Sequence, residues 1–210
     1  MDEAEQARAY SEADFAEAHD RCIALCEEFV GRDGLVGTIL DLGCGPADVT
    51  VRLARRFPRA VFHGVDGAEA MLAHGRARVA HEGLADRIRL ARALMPSDAP
   101  PLAQYDGVVS NSLLHHLHDP AVLWGAVARY ARPRAPVFIM DLRRPASVED
   151  ARRLAATHAA GEPDVLQRDF LNSLCAAFTP EEVVEQLRLA GIPLDVLAIG
   201  DRHLVAQGYR

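Results

Sequence analysis

Lysine is absent from this 210-residue sequence, tryptophan occurs once and cysteine only four times. The positive charge is therefore all arginine, 23 residues set against 30 aspartates and glutamates for a formal net charge of −7. That balance argues against a protein that coats nucleic acid, because neutralising phosphates needs a basic surface. So few cysteines cannot make a disulfide framework, and their positions lack zinc-site spacing. Cys22 and Cys26 stand four apart on an expected helix and read as small apolar residues of a buried face. No apolar run approaches the roughly eighteen residues that span a bilayer. The opening MDEAEQARAYSEADF is acidic where a signal peptide would be basic. A soluble cytoplasmic protein without nucleic-acid or membrane partners is expected.

What is present is ordinary globular material, 50% hydrophobic and 25% charged, with no repeat and no linker-like tract. Residues 12–30 carry Phe15, Cys22, Leu25, Cys26 and Phe29 at helical spacing, with Ser11 as N-cap and Gly31 as stop signal. Residues 1–36 therefore read as an N-terminal helical extension ahead of one domain over 37–210. From residue 37 the short apolar runs TILDLG, AVFHGVD, RIRLA, YDGVVS and APVFIMD alternate with helical patterns. Such alternation predicts an α/β fold, a parallel sheet with helices on both faces. Asp119–Pro120 and the Thr179–Pro180–Glu182 capping box mark helix starts, and Gly191 marks a helix end. The alternation breaks at the C-terminus, where PLDVLAIG and RHLVAQGY are separated only by a short turn. Strands so close must pair antiparallel.

Between the first strand and the first helix lies the glycine loop DLGCGPADVT, at the sheet edge where this class of fold binds its ligand. A dinucleotide fingerprint would put its third glycine at position 48, which is aspartate, and Pro46 removes an amide donor. Asp41, Asp48 and Asp66 place three acids at or near a loop that has no cation from 38 to 51, a field favouring a positively charged small molecule over a polyphosphate. S-adenosylmethionine, with its sulfonium and ammonium groups, fits. Asp66 closes the second strand about twenty residues past Gly45, the distance at which an acid meets ribose hydroxyls. It would equally serve to cap the following helix.

With DLGCGPADVT, HGVDGAEAML, YDGVVSNSLLHHLHDP, APVFIMD and the closing hairpin in this order, the chain closely resembles the class I S-adenosylmethionine-dependent methyltransferases. The resemblance implies a Rossmann-like seven-stranded sheet of order 3-2-1-4-5-7-6 with strand 7 antiparallel. It implies that Asp41, Gly43, Cys44 and Gly45 border the methionine and ribose of S-adenosylmethionine, that Asp66 accepts from both ribose hydroxyls, and that Gly67 passes close to the adenine. Near the adenine the family usually has an acidic or small pair; here the stretch is Arg92, Ala93 and Leu94, leaving that contact to backbone atoms or to Leu94. Asn111 matches the position whose backbone meets the methionine ammonium, and Ala47 stands where the family has a third glycine.

Methyl transfer needs chiefly alignment of the nucleophile, and a base only if the acceptor arrives protonated. His115 and His116, beside the expected methyl group, are the candidate catalytic residues. At most one should face the pocket, and His116 is favoured because Leu113, Leu114 and Leu117 would bury the opposite side of a short helix. A metal site built from neighbouring histidines is not expected, since adjacent residues seldom converge on one ion. The segment 143–178 should cover the acceptor, with Arg143, Arg144, His158, Arg168, Asp169 and Phe170 as candidate contacts. Tyr10, ahead of the first helix, is placed by the resemblance on a lid over the sulfonium; the alternative is that Tyr10 or Phe15 simply packs in the core. The reading is a methyltransferase acting on a small molecule, with a monomer and a homodimer both open. An S-adenosylmethionine-binding accessory protein is the alternative, and a nicotinamide-dependent oxidoreductase is disfavoured by Asp48.

Overall fold

A computed structural model describes residues 15–31 and 34–210. Its sheet contains β1 (Gly37–Leu42), β2 (Ala60–Asp66), β3 (Ile88–Arg92), β4 (Gly107–Asn111), β5 (Pro136–Leu142), β6 (Leu194–Ile199) and β7 (His203–Tyr209). The order is β3-β2-β1-β4-β5-β7-β6, with β7 antiparallel to both of its neighbours and every other pair parallel. The topology and the closing hairpin match the sequence reading.

Side chains on a strand alternate between faces, so a sheet covered on both sides buries consecutive apolar residues in different cores. Val137 and Ile139 of β5 join one cluster with Leu123, Trp124 and Val183, while Phe138 and Met140 join another with Cys22, Cys26 and Val51. The first core lies under α4 (Ala121–Tyr130) and α7 (Pro180–Ala190), the second under α1 (Ala16–Val30), α2 (Asp48–Arg56) and α3 (Glu69–His81). Two further helices, α5 (Val148–His158) and α6 (Asp164–Ala176), occupy the predicted long insertion. Trp124 is fully buried, and its indole N–H donates to Gln186 Oε1 at 2.9 Å. Burying such a ring contributes about 2–3 kcal/mol, and the bond spares its N–H a desolvation penalty.

Local signals read from sequence operate with small shifts. Thr179 and Glu182 form the reciprocal capping box, and Gly191 ends α7 in the left-handed region. Asp119 accepts from the Ala121 amide, but Pro120 rather than Asp119 is the residue immediately before α4. The N-terminal helix starts at Ala16, and Ser11 and Tyr10 lie outside the described residues. This helix does not stand apart from the domain: Cys22, Ile23 and Cys26 are part of the second core. The arginine stripe of α2 ties the helices together, Arg52 to Asp20, Arg56 to Glu27 and Arg55 to Glu82.

Candidate functional site

β1 lies between β2 and β4, where the chain's path across the sheet reverses, and the segments leaving these three strands open a cavity of about 310 Å³. Asp41, Gly43, Cys44, Gly45, Asp66, Gly67, Leu94 and Asn111, all expected from the sequence, line it. Ala93 does not: it is 4% exposed within the core, its amide bound to the Asp66 carbonyl, and the neighbouring Leu94 reaches the cavity instead. Met71, Ser112 and Leu113, within the quoted motifs but not singled out as cavity residues, Arg92 of the adenine stretch, and His19, which no motif marks, also line it.

The loop's shape has a local cause. Gly43 and Gly45 adopt φ of +71° and +51°, and Ala47 adopts +61° at the start of α2. The first two are positions where a side chain is disfavoured. Alanine at 47 keeps the left-handed turn that the missing third glycine would have eased. The Asp66 carboxylate locks the turn by accepting from the Gly45 amide at 2.9 Å and the Ala68 amide at 2.8 Å. Leu94, 55% exposed, packs against Gly67, where an added Cβ would come within 3.0 Å of its Cδ1.

Asp41 is buried beneath the loop and accepts from the Thr50 hydroxyl at 2.5 Å. Burial raises its pKa to about 7, helped by the negative charge of Asp66 and opposed by the Thr50 bond. Between the ordinary carboxylate value and 7 the folded state holds a proton that the unfolded state has released, so the contribution to stability falls as pH rises and is fully lost above 7. Asp41→Asn, which keeps an acceptor for Thr50, is expected to remove that dependence. Urea-unfolding free energies at pH 5 and 8 should then show the wild type losing about 2–3 kcal/mol relative to the variant. A pH-independent difference would mean that Asp41 is not held in this way.

The expected unbalanced negative field is corrected by the structure. Asp48, in the first turn of α2, accepts from His19 Nδ1 at 2.6 Å and from Arg52 Nε at 2.7 Å, and lies 2.6 Å from Arg78 Nη1. Burial works against its ionisation, but the bonds from His19 and Arg52 prevail and hold its carboxyl well below the usual range. No cation lies within 38–51, yet the guanidinium groups of Arg52 on α2 and Arg78 on α3 and the His19 ring on α1 converge on Asp48. The acids facing the cavity without such pairing are Asp41 and Asp66.

A second cavity of about 450 Å³ adjoins the first and shares His19, Asn111, Ser112 and His116 with it. Its other walls include Phe15, Met140, Leu142, Leu166 and Phe170. The two histidines occupy a 3-10 turn, Leu114–His116, with ring centroids 4.0 Å apart. Both border the second cavity, where the sequence reading allowed only one, because the tight turn stacks the rings instead of opposing them. Their environments differ. His115 Nδ1 donates to Asp141 Oδ1 at 2.6 Å, and the same carboxylate accepts from the Leu114 and Leu142 amides, so His115 is an anchor of the turn. His116 faces both cavities, and burial together with the neighbouring His115, against the pull of Asp141, lowers its pKa to about 4.

The arginines expected at the acceptor lie elsewhere. Arg143 donates to the carbonyls of Gly200 and Asp201 in the β6–β7 turn, and Arg144 to the Ala177 carbonyl and to Glu182. Arg168, on α6, lies 3.8 Å from Asp169 through its Nε and is not among the cavity walls. None borders either cavity, because helix rotation and carbonyl capping direct these long side chains to other partners. Of the insertion residues named from sequence, His158, Asp169 and Phe170 do line the second cavity, joined by Arg202 and His203 of the hairpin.

Residues 39–134 match a family model described as a methyltransferase domain. The chain is 32% identical over 130 residues to trans-aconitate 2-methyltransferase of Methylobacterium nodulans, covering 62% of this chain and 46% of that protein. It is 32% identical over 134 residues to a ubiquinone biosynthesis O-methyltransferase of Pseudomonas paraeruginosa, covering 63% and 56%. The chain thus spans about half the length of the curated relatives it matches. Its fold resembles a SAM-dependent methyltransferase from Aquifex aeolicus, with a TM-score of 0.75, 18% identity, and 99% and 98% of the two chains covered. A phosphoethanolamine N-methyltransferase 2 of Haemonchus contortus, solved with S-adenosyl-L-methionine, superposes with a TM-score of 0.66 at 19% identity over 86% of this chain and 38% of that one. Strand order, glycine loop and matched segment agree: residues 39–134 are a methyltransferase domain, set in the sheet topology of the class I S-adenosylmethionine-dependent methyltransferases.

Proposed function

We propose that the protein transfers a methyl group from S-adenosylmethionine to a small-molecule acceptor held in the second cavity. The observation that carries this reading is the shared border: Asn111, Ser112, His116 and His19 line both cavities, so ligands in the two would meet there. The first cavity suits the cofactor's parts. Asp66 spends two of its roughly four acceptor sites on backbone amides and keeps two for ribose hydroxyls. Leu94 offers an apolar surface for adenine, and the acid of Asp41 favours a cationic group. When bound, the sulfonium supplies an activated methyl, leaving the protein to align the acceptor and exclude water. His116 is the candidate base, and His115, held by Asp141, positions it.

Relatives named for trans-aconitate and for ubiquinone biosynthesis support a small acceptor. The four cysteines are all free, which suits the reducing cytoplasm assigned to the protein in this reading. Among the described residues no helix is long and apolar enough to cross a membrane. Calorimetry with S-adenosylmethionine, its demethylated product and NAD tests the cofactor; binding of NAD alone would overturn the assignment. Acceptor screening by mass spectrometry tests transfer, and cofactor binding without any methylated product from a broad extract would favour an accessory protein.

Asp66→Ala is expected to weaken S-adenosylmethionine binding by about 1.5–3 kcal/mol, the range for hydrogen bonds to a charged group. The loss has two parts, the missing ribose contacts and the freed amides of Gly45 and Ala68. Asp66→Asn, which can still accept at one oxygen, should fall between. Unchanged affinity in a folded Asp66→Ala protein would remove the cofactor from this cavity.

A further inference from the structure

Resting on the methyltransferase reading, the charges around the second cavity narrow the acceptor's class. Arg202 is its one arginine among the described residues, and that guanidinium is already engaged: Nη1 lies 3.1 Å from Asp201 Oδ1 and 3.0 Å from His158 Nε2. His158 is itself 2.7 Å from the other oxygen of Asp201. His115 is committed to Asp141 and His19 to Asp48. Burial keeps His116 and His203 uncharged at neutral pH, each with a pKa lowered to about 4. Against these stand the carboxylates of Glu17 and Glu162 on the walls, together with Asp169, itself 3.8 Å from Arg168 Nε. A carboxylate ligand would leave water for a cavity whose arginine is shared and whose acids repel it, and desolvating an unpaired anion is costly.

A protonated amine meets a different obstacle. The acids lie on α1, on α6 and in the link before α6, whereas the border with the cofactor cavity is formed by Asn111, Ser112, His116 and a His19 bound to Asp48. Among the described residues no carboxylate of the second cavity stands at that border, so an ammonium there would face a sulfonium without a counter-charge. Elsewhere Phe15, Leu142, Leu166 and Phe170 give the walls an apolar and partly aromatic surface, broken by Ser173. Such walls suit a ring or other apolar body.

We propose that the acceptor is an uncharged hydroxyl compound, a phenol or enol with an apolar body, methylated on oxygen. The acceptor oxygen forms a bond to the methyl carbon while the carbon–sulfur bond breaks and its electron pair leaves with sulfur. The hydroxyl proton passes to the His116 imidazole. Acidic hydroxyls are preferred, because a weakly basic imidazole removes their protons most readily.

The test uses the full chain saturated with the demethylated cofactor and three matched ligand sets: catechol and 4-acylphenols, benzoate and trans-aconitate, and benzylamine. Calorimetry is expected to show the phenols binding at least tenfold more tightly than the acids or the amine. With isotope-labelled S-adenosylmethionine, mass spectrometry should find methyl ethers and neither methyl esters nor methylamines. Ester or N-methyl products would overturn the acceptor class and leave the transferase reading intact. The class also falls if the protein binds S-adenosylmethionine yet neither binds nor methylates any of the phenols. Failure to bind S-adenosylmethionine at all would instead sink the parent reading.

Discussion

Gly43→Val is expected to raise the dissociation constant for S-adenosylmethionine by more than a hundredfold. Gly43 sits at φ +71°, a region that β-branched residues rarely adopt, at a strain of about 1–2 kcal/mol. An added Cβ would come within 2.9 Å of both Cβ and Cδ1 of Leu113, closer than real contacts allow. Overpacking of this kind costs about 1–3 kcal/mol more. At the cavity wall the side chain would also intrude on the ligand, but Leu113 is the first obstacle it meets. Leu113 immediately precedes the turn bearing His115 and His116, so any relief moves the border between the two cavities. Gly43→Ala separates the contributions, since it adds the Cβ without β-branching and should bind more weakly than wild type while remaining folded. Thermal unfolding supplies the control. A folded valine variant with normal affinity would show that the loop is only a turn.

The second large effect is expected at His116. Alanine there should lower kcat by about a hundredfold with the true acceptor while cofactor affinity stays near wild type, the pattern of a group that acts on acceptor deprotonation. His115→Ala should behave otherwise, because it leaves the buried carboxylate of Asp141 without one donor. It should lower thermal stability and turnover together. The pH dependence carries its own sign. A base must be neutral, so activity is lost as pH falls through the pKa of His116. Burial lowers that pKa to about 4, well below the ordinary histidine range. The wild-type kcat/KM should therefore stay level near pH 6.5 and decline only toward pH 4, a limb that His116→Ala lacks. Equal and small losses for both histidine variants would remove histidine from the mechanism and leave alignment as the source of rate.

Much of this molecule was legible because its signals are local. The capping box at Thr179 and Glu182, the glycines at 43 and 45, and the short link between β6 and β7 involve residues a few positions apart, whose geometry follows from backbone sterics alone. Asp66 was found through the fixed length of a βαβ unit. The functional surroundings were not accessible in the same way. His19 meets Asp48 across 29 positions, His115 meets Asp141 across 26, and Arg143 reaches the Gly200 carbonyl across 57. Nothing in the local text distinguishes an arginine that will cap a distant turn from one that will face a ligand. The sequence by itself determined the alternation of strands and helices, the glycine loop and the closing hairpin, because periodicity and chain sterics act over a few residues; the strand order came from the resemblance that those motifs carry. Only the tertiary structure decided which acids keep an unbalanced charge, which histidine faces both cavities and which arginines are already spent, because burial and pairing depend on elements brought together from far along the chain.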